Sequence, residues 1–384
     1  MHSITGRWIT PAVAIVALMV AARSSRLDSA SPFPCDPGQG VKVAPPPGDD
    51  VYHSAYAAFS TPQRNEDYVT AGRIGTFERL AAKPITWAYF SNNWTGGRIT
   101  FPARQARTIA AAGRIPFVRM MPRSRDFDPR PDPVFPMQKI IDGAFDRELI
   151  GWALDAKAFG SPLMVEFGAE VTGDWFAWNG RWNGGGRTDG YGDPRFPDGP
   201  ERYRDAYRHI VDLFRRQGTN NITWVFHVAD YPWPETAWNR MKNYYPGDAY
   251  IDWIGVTTYG ATQSNETWQP LAETLADVYA ELAAVSRTRP IALLEWAVVS
   301  NPAKGNKAAW IEEAFAALNS GRFPRIKVIS WWHERYYNNK RLGWSDLRID
   351  SSPAALAAYR KGVADDRFTT TPAYTCSDPA TPTR

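Results

Sequence analysis

Two glutamates, Glu170 and Glu295, each stand at the carboxyl end of a short apolar run and are followed closely by tryptophan. Glu170 ends the run LMVEFGAE, and Glu295 ends the run IALLE. Buried parallel strands that end in an acid present their carboxyl groups at one face of a (β/α)8 barrel. Two carboxyl groups among aromatic rings are what the hydrolysis of a glycosidic bond requires. The sequence therefore predicts that these two acids meet at one face of the fold.

The elements that must position them alternate between strand-like and helical patterns, which predicts an α/β fold, a single (β/α)8 barrel over residues 51–366. The predicted strands are 51–59, 85–90, 115–121, 163–170, 222–228, 251–259, 291–295 and 326–332. The predicted helices are 65–81, 102–112, 137–159, 200–217, 235–244, 268–287, 306–320 and 353–364. A doubly wound open sheet is the alternative, but it would carry a glycine-rich phosphate loop after its first strand. The glycines at 184–186 do not precede a strand–helix turn of that kind.

Bulk composition narrows the class of protein. A chain of 384 residues suits one large barrel, and the net charge of +4 without a dense Lys/Arg run argues against nucleic-acid binding. The chain is rich in aromatic residues, with 17 Trp, 17 Tyr and 18 Phe. These rings either stack on the apolar faces of sugars or fill the core.

The N-terminus has the pattern of an export signal over residues 1–22. Arg7 precedes an apolar stretch, Trp8–Ala22, that is too short for a confident membrane span, and Val20–Ala22 offers a small-residue cleavage site. The alternative is an uncleaved N-terminal anchor. We expect a secreted or extracytoplasmic protein without a membrane span once the signal is removed.

The segments beside the predicted barrel are poor in regular patterns. Residues 23–50 are rich in Pro, Gly, Ser and Asp and indicate a linker or extended arm, and residues 367–384 indicate an irregular tail. Each segment holds one of the chain's two cysteines, Cys35 and Cys376. In an exported protein we expect them to form a disulfide bond, the alternative being two unrelated thiols.

The strand-four motif reads AEVTGDWFAW over residues 169–178. It resembles glycoside hydrolase family 26, the β-mannanase family of the large retaining (β/α)8 clan, whose members carry His-Glu-Met-Asn-Gly-x-Trp-x-x-Trp there. The resemblance implies that Glu170 is the acid/base and that Trp175 contacts substrate. It also implies that Glu295 is the nucleophile, because Pro290 to Glu295 matches the family's Pro-Ile-x-x-x-Glu.

The resemblance further implies that Tyr259, at the end of strand six, orients the nucleophile. Trp331 or Trp332, at the end of strand eight, would floor the central sugar site. It makes β-1,4-mannan the first candidate for the polysaccharide substrate of a retaining endo-glycosidase. β-1,3-Xylan and mixed-linkage β-glucan, which related members cut, and an exopolysaccharide are the alternatives. Ala169 and Thr172 replace the family's His and Asn, and the loss of that His, which helps line the sugar site, leaves the substrate open.

Several further residues carry open interpretations. His227 could supply an imidazole to the sugar site or be a core histidine, and Trp94 could be a sugar platform or a loop anchor. Trp178 could contact substrate or fasten its long loop. Glu334 is the main competitor for a catalytic carboxylate. Glu166 is expected to be a buried structural acid, for which Arg119 is the candidate partner.

The sequence lacks the signatures of other hydrolases. Its five His residues include no His-Glu-x-x-His, it has no Cys pair at zinc spacing, and it has no Gly-x-Ser-x-Gly elbow. We therefore expect no metal and no cofactor, and a monomer acting on a polysaccharide. The rival from another class is a non-catalytic carbohydrate-binding barrel.

Overall fold

The computed structural model of the chain describes residues 33–35, 39–61, 65–125 and 130–377. The predicted signal peptide and its cleavage site lie outside the described residues. The strands are β1 (Gly40–Ala44), β2 (Val51–Ala57), β3 (Trp87–Asn93), β4 (Ile115–Met121), β5 (Leu163–Phe167), β6 (Ile222–Ala229), β7 (Trp253–Thr257), β8 (Ile291–Trp296), β9 (Ile326–His333), β10 (Arg335–Tyr337), β11 (Trp344–Asp346), β12 (Phe368–Thr369) and β13 (Ala373–Ser377). The α-helices are α1 (Ala71–Ala81), α2 (Ala103–Ala111), α3 (Met137–Ile141), α4 (Asp146–Phe159), α5 (Asp198–Arg216), α6 (Met241–Tyr244), α7 (Leu271–Val285), α8 (Lys307–Asn319) and α9 (Pro353–Val363).

Strands β2 to β9 form a closed parallel barrel. Each strand pairs with the next along the chain, and β2 also pairs with β9, from Tyr52 beside Val328 to Ala57 beside His333. These strands are apolar along most of their length because both of their faces are covered, one by the barrel interior and the other by helices. The predicted (β/α)8 fold and all eight predicted barrel strands are confirmed.

Helix ends follow local capping chemistry, and this explains where the predicted bounds were too wide. The helix predicted over 65–81 begins at Ala71 because the Thr70 side chain accepts a hydrogen bond from the Arg73 amide, which caps its first turn. The helix predicted over 137–159 is two helices, interrupted near Gly143, which has a left-handed φ of 77°. The prediction over 235–244 shortens to a 3-10 turn and the four residues of α6.

The arm and the tail pair with each other. The expectation that residues 367–384 are irregular is wrong for 368–369, which pair with β2 as β12, and for 373–377, which form β13. Strand β1 lies antiparallel to β13, and Cys35 and Cys376 form the predicted disulfide bond. Lys42 of β1 forms an ion pair with Asp252 at 2.8 Å, just before β7. The carbonyl of Val43 accepts a hydrogen bond from the Trp253 indole at 3.0 Å. The paired arm and tail are thus fastened to the end of the barrel where β7 begins.

Within the residues that the structure describes, no helix is both long enough and apolar enough to cross a membrane.

Candidate active site

The chain after β5 turns sharply to bring Glu170 to the carboxyl face of the barrel. The strand ends at Phe167, and both Gly168 (φ 66°) and Glu170 (φ 49°) have left-handed backbone conformations. The predicted strand to residue 170, with alternate side chains on one face, therefore stops three residues early. A Cβ atom on Gly168 would lie 2.9 Å from Cδ1 of Trp178, so this position needs glycine for both its conformation and its space. A left-handed glutamate is uncommon and is typical of a residue held in place for function.

Trp175 holds the carboxyl group of Glu170. Its indole Nε1 donates a hydrogen bond of 2.6 Å to Glu170 Oε2. The ring lies against Gly173, where an added Cβ atom would come within 2.2 Å of Cζ2 of Trp175. The glycine of the motif is therefore what makes room for the indole that orients Glu170.

We expect Gly173→Ala to reduce kcat by about a hundredfold, because its methyl group must displace the Trp175 ring and a displacement of about 1 Å at a reacting group can cost that much. The measurement is kcat on the substrate of the wild type, with a thermal melt beside it. Gly151→Ala is the matched control, because Gly151 lies in α4 and does not line the cavity, has no left-handed φ, and has nothing within 4 Å of the added atom. Equal kcat values for the two variants would contradict the proposed role of Gly173.

Glu295 is the penultimate residue of β8 and is buried, with donors near both of its carboxyl oxygens. Tyr259 donates a 2.8 Å hydrogen bond to Oε2, and Arg119 Nη2 lies 3.1 Å from Oε1. The Tyr89 hydroxyl lies 3.3 Å from the same Oε1 but is closer to Glu166, at 2.7 Å. The arrangement holds the Glu295 carboxyl group in one orientation, and these donors favour the negative charge that burial of the group opposes.

A charged layer lies beneath the two acids. Glu166 is fully buried, with Arg119 Nε 3.3 Å from Oε1 and His227 Nδ1 2.9 Å from Oε2. Burial opposes ionisation of Glu166, but His227 and Arg119 outweigh it and lower the pKa of its carboxyl group. Arg119 also contacts Glu66, at 2.9 Å. The expected pairing of Glu166 with Arg119 is present, and the same arginine reaches Glu295.

The pKa of Glu295 is raised to about 7. Burial is the largest cause, and the negative charge of Glu170 adds to it, while the positive charges of Arg119 and His227 act in the opposite direction. The pKa of Glu295 thus reflects a balance between burial and a nearby negative charge on one side and two nearby positive charges on the other.

Glu170 and Glu295 line one open cavity of about 440 Å³. Trp332 lies on its wall with its ring stacked on Tyr56 at 3.9 Å, so one face of the indole is fixed from behind. The remaining lining side chains are mostly polar. They are Ser60, Glu66, Arg119, Trp175, Phe176, Tyr259, Thr262, Glu334, Tyr336, Asn338 and Leu347.

Glu334 lies in the same cavity, so proximity alone does not remove it as a competitor. Its Oε2 accepts a 2.8 Å hydrogen bond from Ser60, and burial raises the pKa of its carboxyl group to about 7. Unlike Glu295, its contacts do not include an arginine within ion-pair distance among the described residues. Glu334 therefore lacks the arginine partner that Glu295 has, although the pKa of each carboxyl group is raised to about 7.

The structure separates the residues nominated from sequence as substrate contacts. Trp175, Tyr259 and Trp332 line the cavity. Trp331 does not. It is fully buried on the other face of β9, and its indole donates to the Leu347 carbonyl at 2.9 Å. Of Trp331 and Trp332, the two alternatives in the eighth barrel strand, β9, the structure places only Trp332 at the cavity.

Three other nominations need correction because the side chains are buried away from the cavity. Trp94 packs edge-on against Phe135 with ring centroids 5.2 Å apart, so it anchors a loop. The Trp178 indole donates a hydrogen bond to the Ala169 carbonyl at 2.7 Å and fastens the turn that follows β5. His227 lies in the charged layer under the site, where its Nε2 contacts Thr257 at 2.8 Å.

Sequence reasoning missed the lining residues that come from loops and from the β10–β11 hairpin. Ser60, Glu66 and Thr262 follow barrel strands β2 and β7, while Tyr336 and Asn338 lie in or beside β10. These positions lack a distinctive pattern, since polar residues are common in loops. The replacement Thr172 is structural here, because its hydroxyl accepts a hydrogen bond from the Ala229 amide at 3.1 Å.

In the described ranges, no group of three or more His, Cys, Asp or Glu side chains is arranged to hold a metal ion.

Comparison with known proteins agrees with the motifs. Residues 141–311 match the model of glycosyl hydrolase family 26. Endoglucanase H of Acetivibrio thermocellus is 36% identical over 228 residues, which is 58% of this chain and 22% of that protein. Beta-1,3-xylanase TXYA of a Vibrio species is 22% identical over 255 residues, 60% of this chain and 50% of that protein. The chain thus spans half or less of the length of these curated relatives.

Among solved structures, an endo-beta-1,4-mannanase double mutant of Cellulomonas fimi superposes with a TM-score of 0.54 at 16% identity, covering 83% of this chain and 78% of that one. At this identity the likeness concerns the fold. The residues of both motifs, 169–178 and 290–295, lie within the segment that matches glycosyl hydrolase family 26, and the predicted barrel is confirmed.

Proposed function

We propose, from the match to glycosyl hydrolase family 26 and the geometry of the site, that this chain is a retaining endo-glycoside hydrolase of β-linked polysaccharides. One observation carries the proposal. Glu170 and Glu295 line a single cavity, one held by Trp175 and the other by Tyr259 and Arg119. Two oriented carboxyl groups beside an indole surface are what double displacement at a sugar carbon needs.

In the first step Glu295 Oε attacks the anomeric carbon while Glu170 gives its proton to the glycosidic oxygen. The carbon–oxygen bond to the leaving sugar breaks, and an ester to Glu295 forms. In the second step Glu170, now ionised, takes a proton from water, and the water oxygen displaces Glu295. Two inversions give net retention. Tyr259 and Arg119 stabilise the Glu295 carboxylate before attack and after release.

The reaction type does not by itself identify the polysaccharide that is cleaved. β-1,4-Mannan remains the first candidate from the motifs. The relative named Endoglucanase H favours β-glucan as a second candidate, but the matched segment covers only 22% of that protein. The direct test is release of reducing sugar from β-1,4-mannan, mixed-linkage β-glucan, β-1,3-xylan and bacterial exopolysaccharides. Release from one polymer supports the proposal and names the substrate. Binding to a polymer without release would favour the non-catalytic barrel.

We expect kcat/KM to fall as the pH drops below about 7. Burial raises the pKa of Glu295 to about that value, and only the ionised form, which dominates above the pKa, can attack. Tyr259→Phe removes a donor to the carboxylate and therefore should shift this acid limb to higher pH. The measurement is kcat/KM against pH.

Tyr336→Phe is the matched control for this shift, because Tyr336 lines the same cavity while its hydroxyl contacts the Thr262 carbonyl at 3.4 Å. Its acid limb should stay at the wild-type pH. A wild-type limb near 4.5, the ordinary glutamate value, would contradict the assignment of the limb to a buried Glu295.

A further inference from the structure

A second cavity of about 650 Å³ adjoins the first and shares Glu170 with it. Both cavities are lined by Glu170, Trp175, Tyr259 and Thr262, but Glu295 lines only the first. The other lining residues of the second cavity are Ala229, Asp230, Tyr231, Thr257, Gly260, Ala261, Gln263, Glu266, Thr267 and Gln269. The lining thus combines one exposed aromatic ring with many polar side chains, a mixture typical of sugar-binding surfaces.

Because Glu170 lines both cavities and Glu295 lines only the first, each cavity can be assigned to one side of the glycosidic bond that is cleaved. The following step rests on the proposed function. The sugar whose anomeric carbon is attacked must lie where both carboxyl groups reach it, which is the first cavity. The sugar that departs is joined through the oxygen that Glu170 protonates, so it lies beside Glu170 and away from Glu295. The second cavity meets that description.

We propose that Tyr231 provides the stacking surface for the leaving-group side of the polysaccharide, which binds in the second cavity. Tyr231 is 56% exposed, and its ring centroid is 6.1 Å from that of Trp175, the residue bonded to Glu170. The ring therefore stands beside the acid/base with much of its apolar surface uncovered.

The loop that carries Tyr231 is fixed before substrate arrives. The Asp230 amide donates to the Thr257 carbonyl at 3.0 Å, which ties the loop to the end of β7. Two residues after Tyr231, the Trp233 amide donates a hydrogen bond to the Thr172 carbonyl at 2.9 Å. The Trp233 carbonyl accepts a hydrogen bond from the Asp174 amide, also at 2.9 Å. Main-chain hydrogen bonds on both sides of Tyr231 thus hold it beside the loop that follows β5. A ring held in advance loses little conformational entropy when a sugar stacks on it.

The consequence is a direction for the polymer. The part of the polymer with the non-reducing end lies in the first cavity, beside Trp332. The part with the reducing end lies in the second cavity, on Tyr231. A substrate with one activated aryl leaving group places no sugar chain on the leaving side, so its cleavage depends less on Tyr231. A substitution there should therefore distinguish between leaving groups, which a loss of folding or of the catalytic acids would not do.

The experiment compares two leaving groups on one glycone. Mannopentaose and 2,4-dinitrophenyl β-mannobioside form one pair, cellopentaose and 2,4-dinitrophenyl β-cellobioside the other, and the pair that the wild type cleaves is used. Tyr231→Ala should lower kcat/KM on the pentaose about tenfold more than on the aryl glycoside, the loss expected for one stacking ring. Tyr231→Phe, which keeps the ring, should show less than a third of that selective loss.

Tyr337→Ala is the matched control, because Tyr337 is a similarly exposed tyrosine (43%) that does not line either cavity. Equal losses by Tyr231→Ala on both substrates, or a selective loss in Tyr337→Ala, would overturn the inference while leaving the proposed function standing. A wild type that cleaves neither pair and none of the four polymers would overturn the proposed function, and the inference with it.

Discussion

Glu295→Ala is expected to lower kcat by about 10⁴-fold or more, at or beyond the upper end of what a positioned acid or base contributes. Without this carboxyl group no atom of the protein is held by Tyr259 and Arg119 to attack the anomeric carbon. The glycosyl ester then cannot form, so the loss should appear on every substrate, whatever its leaving group. The measurement is kcat on an activated aryl glycoside and on the polymer.

Added azide separates the loss of a nucleophile from a loss of structure. In Glu295→Ala the missing carboxylate leaves space on the attacked face, and azide can attack there once, giving a glycosyl azide of inverted configuration. Glu334→Ala is the matched control, because Glu334 is a buried carboxyl group of the same cavity. We expect no azide product from it. An inverted azide from Glu334→Ala instead of Glu295→Ala would transfer the nucleophile's role to Glu334.

Glu170→Ala is the second large expected effect, and it depends on the leaving group. On the polymer, kcat/KM should fall by about 10²- to 10⁴-fold because a sugar alkoxide leaves poorly without a proton. On a 2,4-dinitrophenyl glycoside the first step needs no proton, so the fall in kcat/KM should be much smaller. The measurement is the ratio of kcat/KM for the two substrates in the variant and in the wild type.

Trp175→Phe provides a graded control for Glu170→Ala, because it removes the 2.6 Å indole bond to Glu170 while leaving the carboxyl group in place. It should show the same leaving-group dependence at a smaller magnitude. If Glu170→Ala lost activity equally on both substrates, its role as the proton donor to the leaving oxygen would be contradicted.

The barrel itself follows from local patterns. Eight apolar runs and the helical periodicity between them predict strands and helices whose order allows few folds, and each run became a barrel strand. What the patterns did not predict is the pairing of arm and tail. Strand β1 and strand β13 lie more than 300 residues apart, and the antiparallel sheet between them depends on contacts that only the folded barrel brings together.

The candidate active site also combines features that sequence patterns predict with features that they do not. The positions of Glu170, Glu295 and Tyr259 follow from strand ends, because parallel barrel strands all end at one face. The left-handed turn at Gly168 and Glu170 does not follow, since strand alternation says nothing about where a strand stops. The same limit explains Trp331 and Trp332, which are adjacent and point to opposite faces of β9. Sequence left that choice open because a shift of one residue exchanges them.

Three of the tryptophans nominated for sugar binding turned out to fill the core or fasten loops, namely Trp94, Trp178 and Trp331. An indole has the same composition in either role, and only its burial separates the two. Conversely, Tyr231 drew no attention in the sequence, yet it is an exposed ring beside the candidate acid/base.

The measurement that most directly tests the central claim is covalent trapping of the nucleophile. A 2,4-dinitrophenyl 2-deoxy-2-fluoro-β-mannobioside or β-cellobioside keeps a good leaving group while fluorine slows both steps, so that a glycosyl ester accumulates. Peptide mass spectrometry should then find the sugar on Glu295, and no label in Glu295→Ala. A label on Glu334 or on any other residue would contradict the account, and so would hydrolysis of the unmodified substrate with inversion at the anomeric carbon.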